Sequence, residues 1–361
     1  MKKLAASAIL LTAAALALSG CGTPPPAGGS ATGTGTAATG GSFTACMVSD
    51  SGGFDDKSFN ESGWNGMVQA QQELGVQVKK AESQTAADYA PNVQSMQTQN
   101  CNLTFTVGFN LSDTTKAQAT ANPDTHFAII DDNQISLPNV KDLIFKTSDA
   151  AFLAGYLAAA YSTTGTVATF GGMQIPTVTI FMDGFVDGVA QYNQDSGKTV
   201  KVLGWDKASQ KGSFTGDFED QSKGQNTAKG FIDQGADIIM PVAGPVGAGA
   251  AAAAQAAGNV AIIWVDADGF VSSPQYADLY LTSVVKEIGQ SVFDTIKGAE
   301  SGSFDATPYV GTLANSGVGI APYHNFDSKI PQAVKDKIES LKQDIISGKL
   351  KVTSPADPKT S

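Results

Sequence analysis

Ten short apolar runs, at residues 43–49, 76–81, 103–107, 126–130, 140–147, 166–170, 199–205, 236–242, 260–265 and 280–284, alternate with helical patterns at 60–74, 149–161, 181–192, 225–234 and 288–296. Strand-like runs separated by helices specify parallel sheets, because a parallel connection needs a crossover long enough to hold a helix. Helices then cover both faces of each sheet, which defines an α/β fold. Ten strands are too many for one compact sheet of this length, so two doubly wound sheets in two lobes are expected. The chain should cross between lobes at 140–147, near 279–284 and near 303–312. Lobe 1 is then 43–147 plus 283–302, and lobe 2 is 148–282 plus 303–327. Residues 328–361 form a C-terminal amphipathic helix and tail. Ligands of open α/β sheets bind outside the carboxyl ends of strands, so the loops that follow strands are the site candidates.

Residues 1–20, MKKLAASAILLTAAALALSG, combine two lysines, an apolar stretch and small residues, the pattern of a signal peptide. Leu18-Ser19-Gly20-Cys21 resembles the bacterial lipobox, which implies a lipidated Cys21 anchored at the extracytoplasmic face of the cell membrane; cleavage of an ordinary signal nearby is the alternative. Residues 21–42 continue as a charge-free Gly/Ser/Thr/Pro tether. No other run approaches the ~20 apolar residues of a membrane span.

All 23 basic residues are Lys, and without Lys2 and Lys3 the balance is 21 Lys against 34 acidic residues, a net charge of −13. This argues against nucleic-acid binding, whose dominant affinity arises from cationic contacts. Lacking Arg, the chain also lacks the bidentate fork that grips phosphates and carboxylates. A neutral or cationic small ligand suits it better than an anion. Cys46 and Cys101 each open an apolar run in a compartment where disulfides persist. On neighbouring parallel strands they would lie side by side and could bond; two buried thiols are the alternative. His126 and His324 stand far apart with no zinc-ligand spacing, and no metal or other cofactor is expected.

The stretch Asp50-Ser51-Gly52-Gly53-Phe54-Asp55-Asp56-Lys57-Ser58-Phe59-Asn60 follows the first strand. Part of it reads as a helix start: Ser58-x-x-Glu61 is a capping-box pattern, and Asp55 and Asp56 favour the positive helix end. That leaves Phe59 unexplained, a large ring at the first helical position. A calcium-binding turn of the form D-x-D-x-G-x-D-D matches only in its second half, since Ser49 and Ser51 stand at the leading acidic positions.

The whole stretch resembles the signature of the basic membrane protein family, lipoproteins that serve as nucleoside-binding subunits of ABC transporters. Phe127-Ala128-Ile129-Ile130-Asp131, the run SDAAFLAGYLA at 148–158, Phe170-Gly171-Gly172-Met173, Gly235-Ala236-Asp237-Ile238-Ile239, Val265-Asp266 and Leu281-Thr282-Ser283-Val284-Val285-Lys286 are similar to that family in the same order. The resemblance implies a two-lobed type I periplasmic-binding-protein fold that closes on a nucleoside, a purine by preference, with the base stacked between one ring from each lobe. The first ring corresponds to Phe59. The second falls in a longer loop, where the pattern Phe-x-Asp-x-x-Lys-Gly selects Phe218, with Phe214 as the alternative.

The resemblance further implies that Asp131 accepts from the base edge, that Asp50 and Asn60 reach the same ligand beside Phe59, and that Asp266 and Lys286 hold the ribose. Gly244, at the start of an Ala-rich helix, becomes a sugar contact through backbone N–H groups; the glycine spacing there is not that of a dinucleotide loop. Gly269 departs from the family, which usually carries Gln at that point. The implied partners are the ligand, an ABC permease and its ATPase, with the chain itself a monomer. No bond is made or broken in this reading, and no Ser-His-Asp or Cys-His constellation is visible. A metal-dependent nucleoside hydrolase and a sugar or signal receptor of the same fold are the alternatives.

Overall fold

A computed structural model describes residues 43–358, and the alternation appears there as two six-stranded sheets. In chain order, lobe 1 takes β1 (Thr44–Ser49), α1 (Phe59–Leu74), β2 (Gln77–Ala81), α2 (Ala86–Thr98), β3 (Leu103–Val107), α3 (Ser112–Ala121), β4 (His126–Ile130) and β5 (Val140–Phe145). Lobe 2 follows with α4 (Thr147–Tyr161), β6 (Thr166–Gly171), α5 (Pro176–Ser196), β7 (Lys201–Leu203), the small hairpin β8 (Trp205–Asp206) and β9 (Lys211–Gly212), α6 (Gln221–Ile232), β10 (Ile238–Val242), α7 (Val246–Ala257), β11 (Ala261–Asp266), α8 (Gly269–Ser272) and β12 (Tyr280–Lys286). α9 (Ile288–Glu300) and β13 (Tyr309–Gly311) return to lobe 1, and β14 (Val318–Ile320) and α10 (Gln332–Ile346) belong to lobe 2.

The first sheet runs β2-β1-β3-β4-β5-β13 and is parallel throughout. The second runs β7-β6-β10-β11-β12-β14, with β14 alone antiparallel. Central strands such as β1, β3, β10 and β11 are buried along their whole length, because helices pack on both faces.

Two of the expected lobe boundaries move. β12 pairs with β11 as far as Val285 opposite Asp266, so residues 283–286, assigned to lobe 1, stay in lobe 2 and the second crossing falls at Glu287. β13 pairs with β5, so residues 303–311, assigned to lobe 2, remain with lobe 1 and the third crossing lies at 312–317. A three-residue edge strand carries too little pattern to be read, and its sheet is decided by pairing alone.

Helix α4 is buried on nearly every side, as its all-round apolar sequence requires. It lies so close to α5 that a Cβ at Gly188 would stand 2.0 Å from the Phe152 carbonyl oxygen, and one at Gly155 would stand 2.1 Å from that of Phe185. Glycines let the two helices touch backbone to backbone, which gives the second lobe a rigid face beside the cleft.

Cys46 and Cys101 are joined by a disulfide with Cα atoms 5.9 Å apart. They are not side by side, because the register sets Cys46 opposite Thr104; the bond runs from within β1 to the loop before β3. Among the described residues no helix is long and apolar enough to cross a membrane. The signal peptide, Cys21 and the tether lie outside the described residues.

Candidate ligand-binding site

Between the lobes, at the carboxyl ends of the strands, lies a cavity with about 540 Å³ of space free of atoms, counted out to its mouth. Asp50, Phe59, Asn60, Asp131, Phe218, Gly244, Asp266 and Lys286 all line it.

The α1 end of the cavity is built differently from the capping-box pattern. Ser58 is the N-cap but its side chain makes no cap hydrogen bond. Asp56 does the capping: its carboxylate accepts from the backbone N–H groups of Ser58 (3.0 Å), Asn60 (2.8 Å) and Glu61 (3.0 Å). Burial pushes the Asp56 carboxyl up to about 6 against the pull of those three donors. Glu61 turns instead to the Lys57 N–H, 3.0 Å away. With Asp56 occupied as a cap and Asp55 paired to Lys57 at the exposed surface, the calcium-turn reading loses its carboxylates.

Ser58, released from capping, reaches across the cleft. Its hydroxyl lies 2.9 Å from the Val265 carbonyl and 3.0 Å from Asp266 Oδ2, and Trp264 Nε1 donates to the Lys57 carbonyl at 3.1 Å. These bonds join lobe 1 to lobe 2, so the lobes are closed.

Phe59 starts α1 with its ring toward the cavity, beside the Lys286 ammonium at 4.6 Å. Lys286 is 2 % exposed and stands also 5.3 Å from the Phe181 ring and 5.7 Å from that of Phe145. Its Nζ lies 2.5 Å from Asp131 Oδ2 and 2.9 Å from Asp266 Oδ1. Burial works against the ammonium charge, but the two carboxylates outweigh it and the net shift of Lys286 is upward. Asp131 directly follows β4 and Asp266 ends β11, with φ of 63° and 68°. That left-handed backbone costs a side-chain-bearing residue ~1–2 kcal/mol; such strain clusters at ligand clamps.

Elsewhere in the lining, Asn60 Nδ2 donates to Asp50 Oδ1 at 3.0 Å. Asn60 Oδ1 is buried with no partner, an acceptor open to an incoming N–H or O–H. Burial raises the Asp50 carboxyl to about 8, helped by the neighbouring Asp56 and Asp131 and opposed by the Asn60 bond. In the closed protein at neutral pH, Asp50 is therefore mostly a neutral hydrogen-bond donor.

The two phenylalanines of the long loop part company. The Phe214 ring sits against Gly171 and meets Trp205 edge-on at 5.8 Å, packed into lobe 2. Phe218 folds over Gly172, where a Cβ would come within 2.3 Å of the ring, and faces the cavity. Gly244, with φ of 51°, makes the turn from β10 into α7 at the cavity wall.

Asp131, which the resemblance sets at the base edge with Asp50 and Asn60, also meets Lys286 in this structure, next to Asp266. Asp56, Phe109, Thr177 and Phe181 also line the cavity and were not singled out from the sequence. Phe109 follows β3 at its carboxyl end, and the strand-end rule would have found it.

The pH response follows from the carboxyls that burial raises, Asp50 and Asp56 in the cavity, with Asp142 (about 7) and Asp149 (about 6) adding to the same slope. Unfolded Asp residues titrate near 4, so between about pH 4 and 8 the native protein holds more protons than the unfolded chain. Stability must then fall as pH rises through that window. Calorimetric scans of ligand-free protein at pH 5, 6.5 and 8 are expected to show a falling Tm. Asp50→Asn should flatten the upper part of that slope; equal slopes for both proteins would refute the assignment.

The ABC transporter substrate-binding protein family described as PnrA-like matches residues 43–354. The ABC transporter nucleoside-binding protein BmpA of Lactococcus lactis subsp. cremoris is 32 % identical over 374 residues, covering 98 % of this chain and 100 % of that protein. Basic membrane protein A of Borreliella afzelii is 31 % identical over 303 residues, covering 82 % of this chain and 87 % of the relative. Among solved structures, an ABC transporter solute-binding protein from Aeropyrum pernix K1 superposes with a TM-score of 0.79 at 25 % identity, over 87 % of this chain and 94 % of that one. Solute-binding proteins of this kind work outside the cytoplasm and hand their ligand to a membrane permease. With matched sequence running the length of both lobes and the cleft between them, the chain belongs to the PnrA-like, or basic membrane protein, family of ABC transporter substrate-binding proteins.

Proposed function

We propose that the cleft captures an unphosphorylated nucleoside, a purine by preference, and delivers it intact to the permease. The observation that carries this reading is one interlobe cavity whose lining combines a ring from each lobe, Phe59 and Phe218, with buried acids, a single lysine and an unpartnered amide oxygen. In this reading Phe59 from lobe 1 and Phe218 from lobe 2 wall a slot for the base. Asp50 and Asn60 meet the base edge with a protonated carboxyl as donor and the unpartnered Asn60 Oδ1 as acceptor. Asp266, Asp131 and Lys286 take the sugar hydroxyls, with the Gly244 turn beside them. Asp50, Asp56, Asp131 and Asp266 face the cavity against one ammonium, so a phosphate would enter an acidic site without a guanidinium to receive it. The printed name of the Lactococcus relative supports the ligand class.

Titration calorimetry with adenosine, guanosine and inosine should give tight binding, while ribose and adenosine monophosphate should bind far more weakly. Equal affinity for ribose would favour a sugar receptor, and release of free base on long incubation would favour a hydrolase. Phe218→Ala is expected to weaken nucleoside binding by about 1–3 kcal/mol, the contribution of stacking a base on a ring. Phe214→Ala should leave affinity nearly unchanged, and equal losses would show that the loop is wrongly assigned. Membrane attachment through a lipidated Cys21 belongs to the same reading; Cys21→Ser protein recovered still in the membrane fraction would count against it.

A further inference from the structure

Adjoining the ligand cavity lies a second interlobe cavity, with about 890 Å³ of space free of atoms, counted out to its mouth. Phe109, Asp131 and Thr177 are walls common to both. Its remaining lining includes Phe145 from lobe 1, Ile180 from lobe 2, and Pro355, Ala356, Asp357 and Pro358 from the C-terminal tail. The tail therefore forms part of the wall of a space that touches the back of Asp131.

The tail is held there by specific bonds. Lys146, where the chain first leaves lobe 1, pairs with Asp357 at 2.6 Å and donates to the Val352 carbonyl at 3.2 Å. Ser148 donates to Asp357 Oδ1 at 2.6 Å, and the Ser354 N–H donates to Asp357 Oδ2 at 2.8 Å. Ser354 Oγ donates to Asp183 at 2.6 Å, and Lys207 to the Thr353 carbonyl at 2.6 Å. Asp183 is fully buried, and its other oxygen already accepts from Trp205 and Gln210. Val352 is itself buried. A stray terminus would not bring its one carboxylate to the hinge lysine and its serine to a buried acid.

We propose that residues 352–358 seal the hinge side of the cleft, and that Lys146, Ser354 and Asp357 are positioning residues which hold the seal and so slow ligand release. The physical link is Asp131. Its attraction to Lys286 joins the two lobes, and that attraction is strong because the pair is dry. Without the tail, the second cavity, already partly open to solvent, loses one of its walls and admits more water beside Asp131, which raises the local dielectric there, so the closed state opens sooner. Ligand arriving at the open cleft meets the same surface as before, so the association rate is spared.

The test uses the full chain, a variant ending at Lys351, and Asp357→Ala, which keeps Val352 in place should the truncation fold poorly. Adenosine is the probe and rests on the reading above. In stopped-flow measurements both variants should release it about tenfold faster, the scale of one ion pair and one buried hydrogen bond lost, with association within about twofold of the parent. Unchanged release would overturn the seal, as would a fall confined to association. Amide hydrogen exchange on ligand-free protein separates the two proposals. If the parent chain binds no nucleoside, the functional reading fails, while faster exchange at residues 131–134 in the variants still supports the seal and unchanged exchange still refutes it.

Discussion

Replacing Lys286 with methionine is expected to destabilise the closed protein by about 3–5 kcal/mol, the range for removing one partner of a buried ion pair. Methionine keeps the length and apolar stem but takes away the charge between Asp131 and Asp266, which are left 8 % and 10 % exposed with no cation beside them. Each must then take up a proton or regain water, and regaining water requires the cleft to open. The loss should therefore show as a lower urea midpoint or as a larger radius of gyration in ligand-free protein, and ligand affinity should fall in either case. Asp131→Asn in the Lys286→Met background is expected to recover part of the stability, since the orphaned charge disappears. Wild-type stability, compactness and affinity in the single variant would mean that the triad is not what holds the lobes together.

Removing the disulfide should have an effect of similar size and a different signature. The bond closes a segment with a sequence separation of 55 residues, and the chain-entropy relation for a loop of that length predicts ~4 kcal/mol of stabilisation. The double variant Cys46→Ala/Cys101→Ala is therefore expected to unfold at markedly lower denaturant. Its ligand affinity well below the unfolding transition should be unchanged, because Cys101 precedes β3 while Gly108 and Phe109, at the other end of that strand, face the cavity. A large affinity loss with little change in stability would reverse the assignment of the bond to the scaffold.

The two variants separate what holds each lobe from what holds the lobes to each other. Those tasks fall to different ends of the same strands. The amino ends carry the covalent staple, and the carboxyl ends carry the strained aspartates and the caged lysine. A protein that must open for its ligand cannot join its lobes covalently across the cleft, so an ion pair and a few hydrogen bonds are the proper kind of clasp.

Local pattern accounts for much of this protein. Strand–helix alternation dictated the α/β class and the two sheets, because apolar periodicity reports directly which backbone can bury a face. Phe59 at a helix start and acids at strand ends pointed to the cleft, because a parallel sheet sends those ends to one side. Tertiary structure alone decided that Asp56 caps α1 while Ser58 reaches an aspartate 208 residues away, and that Asp131 joins Lys286 across 155 residues. It also decided that β13 belongs to lobe 1, while Phe218, which the loop pattern selects over Phe214, does line the cavity. The reason is one of range: periodicity and capping patterns depend on neighbours within a turn or two, whereas the partner of a buried charge is chosen by sheet register and by how two lobes meet.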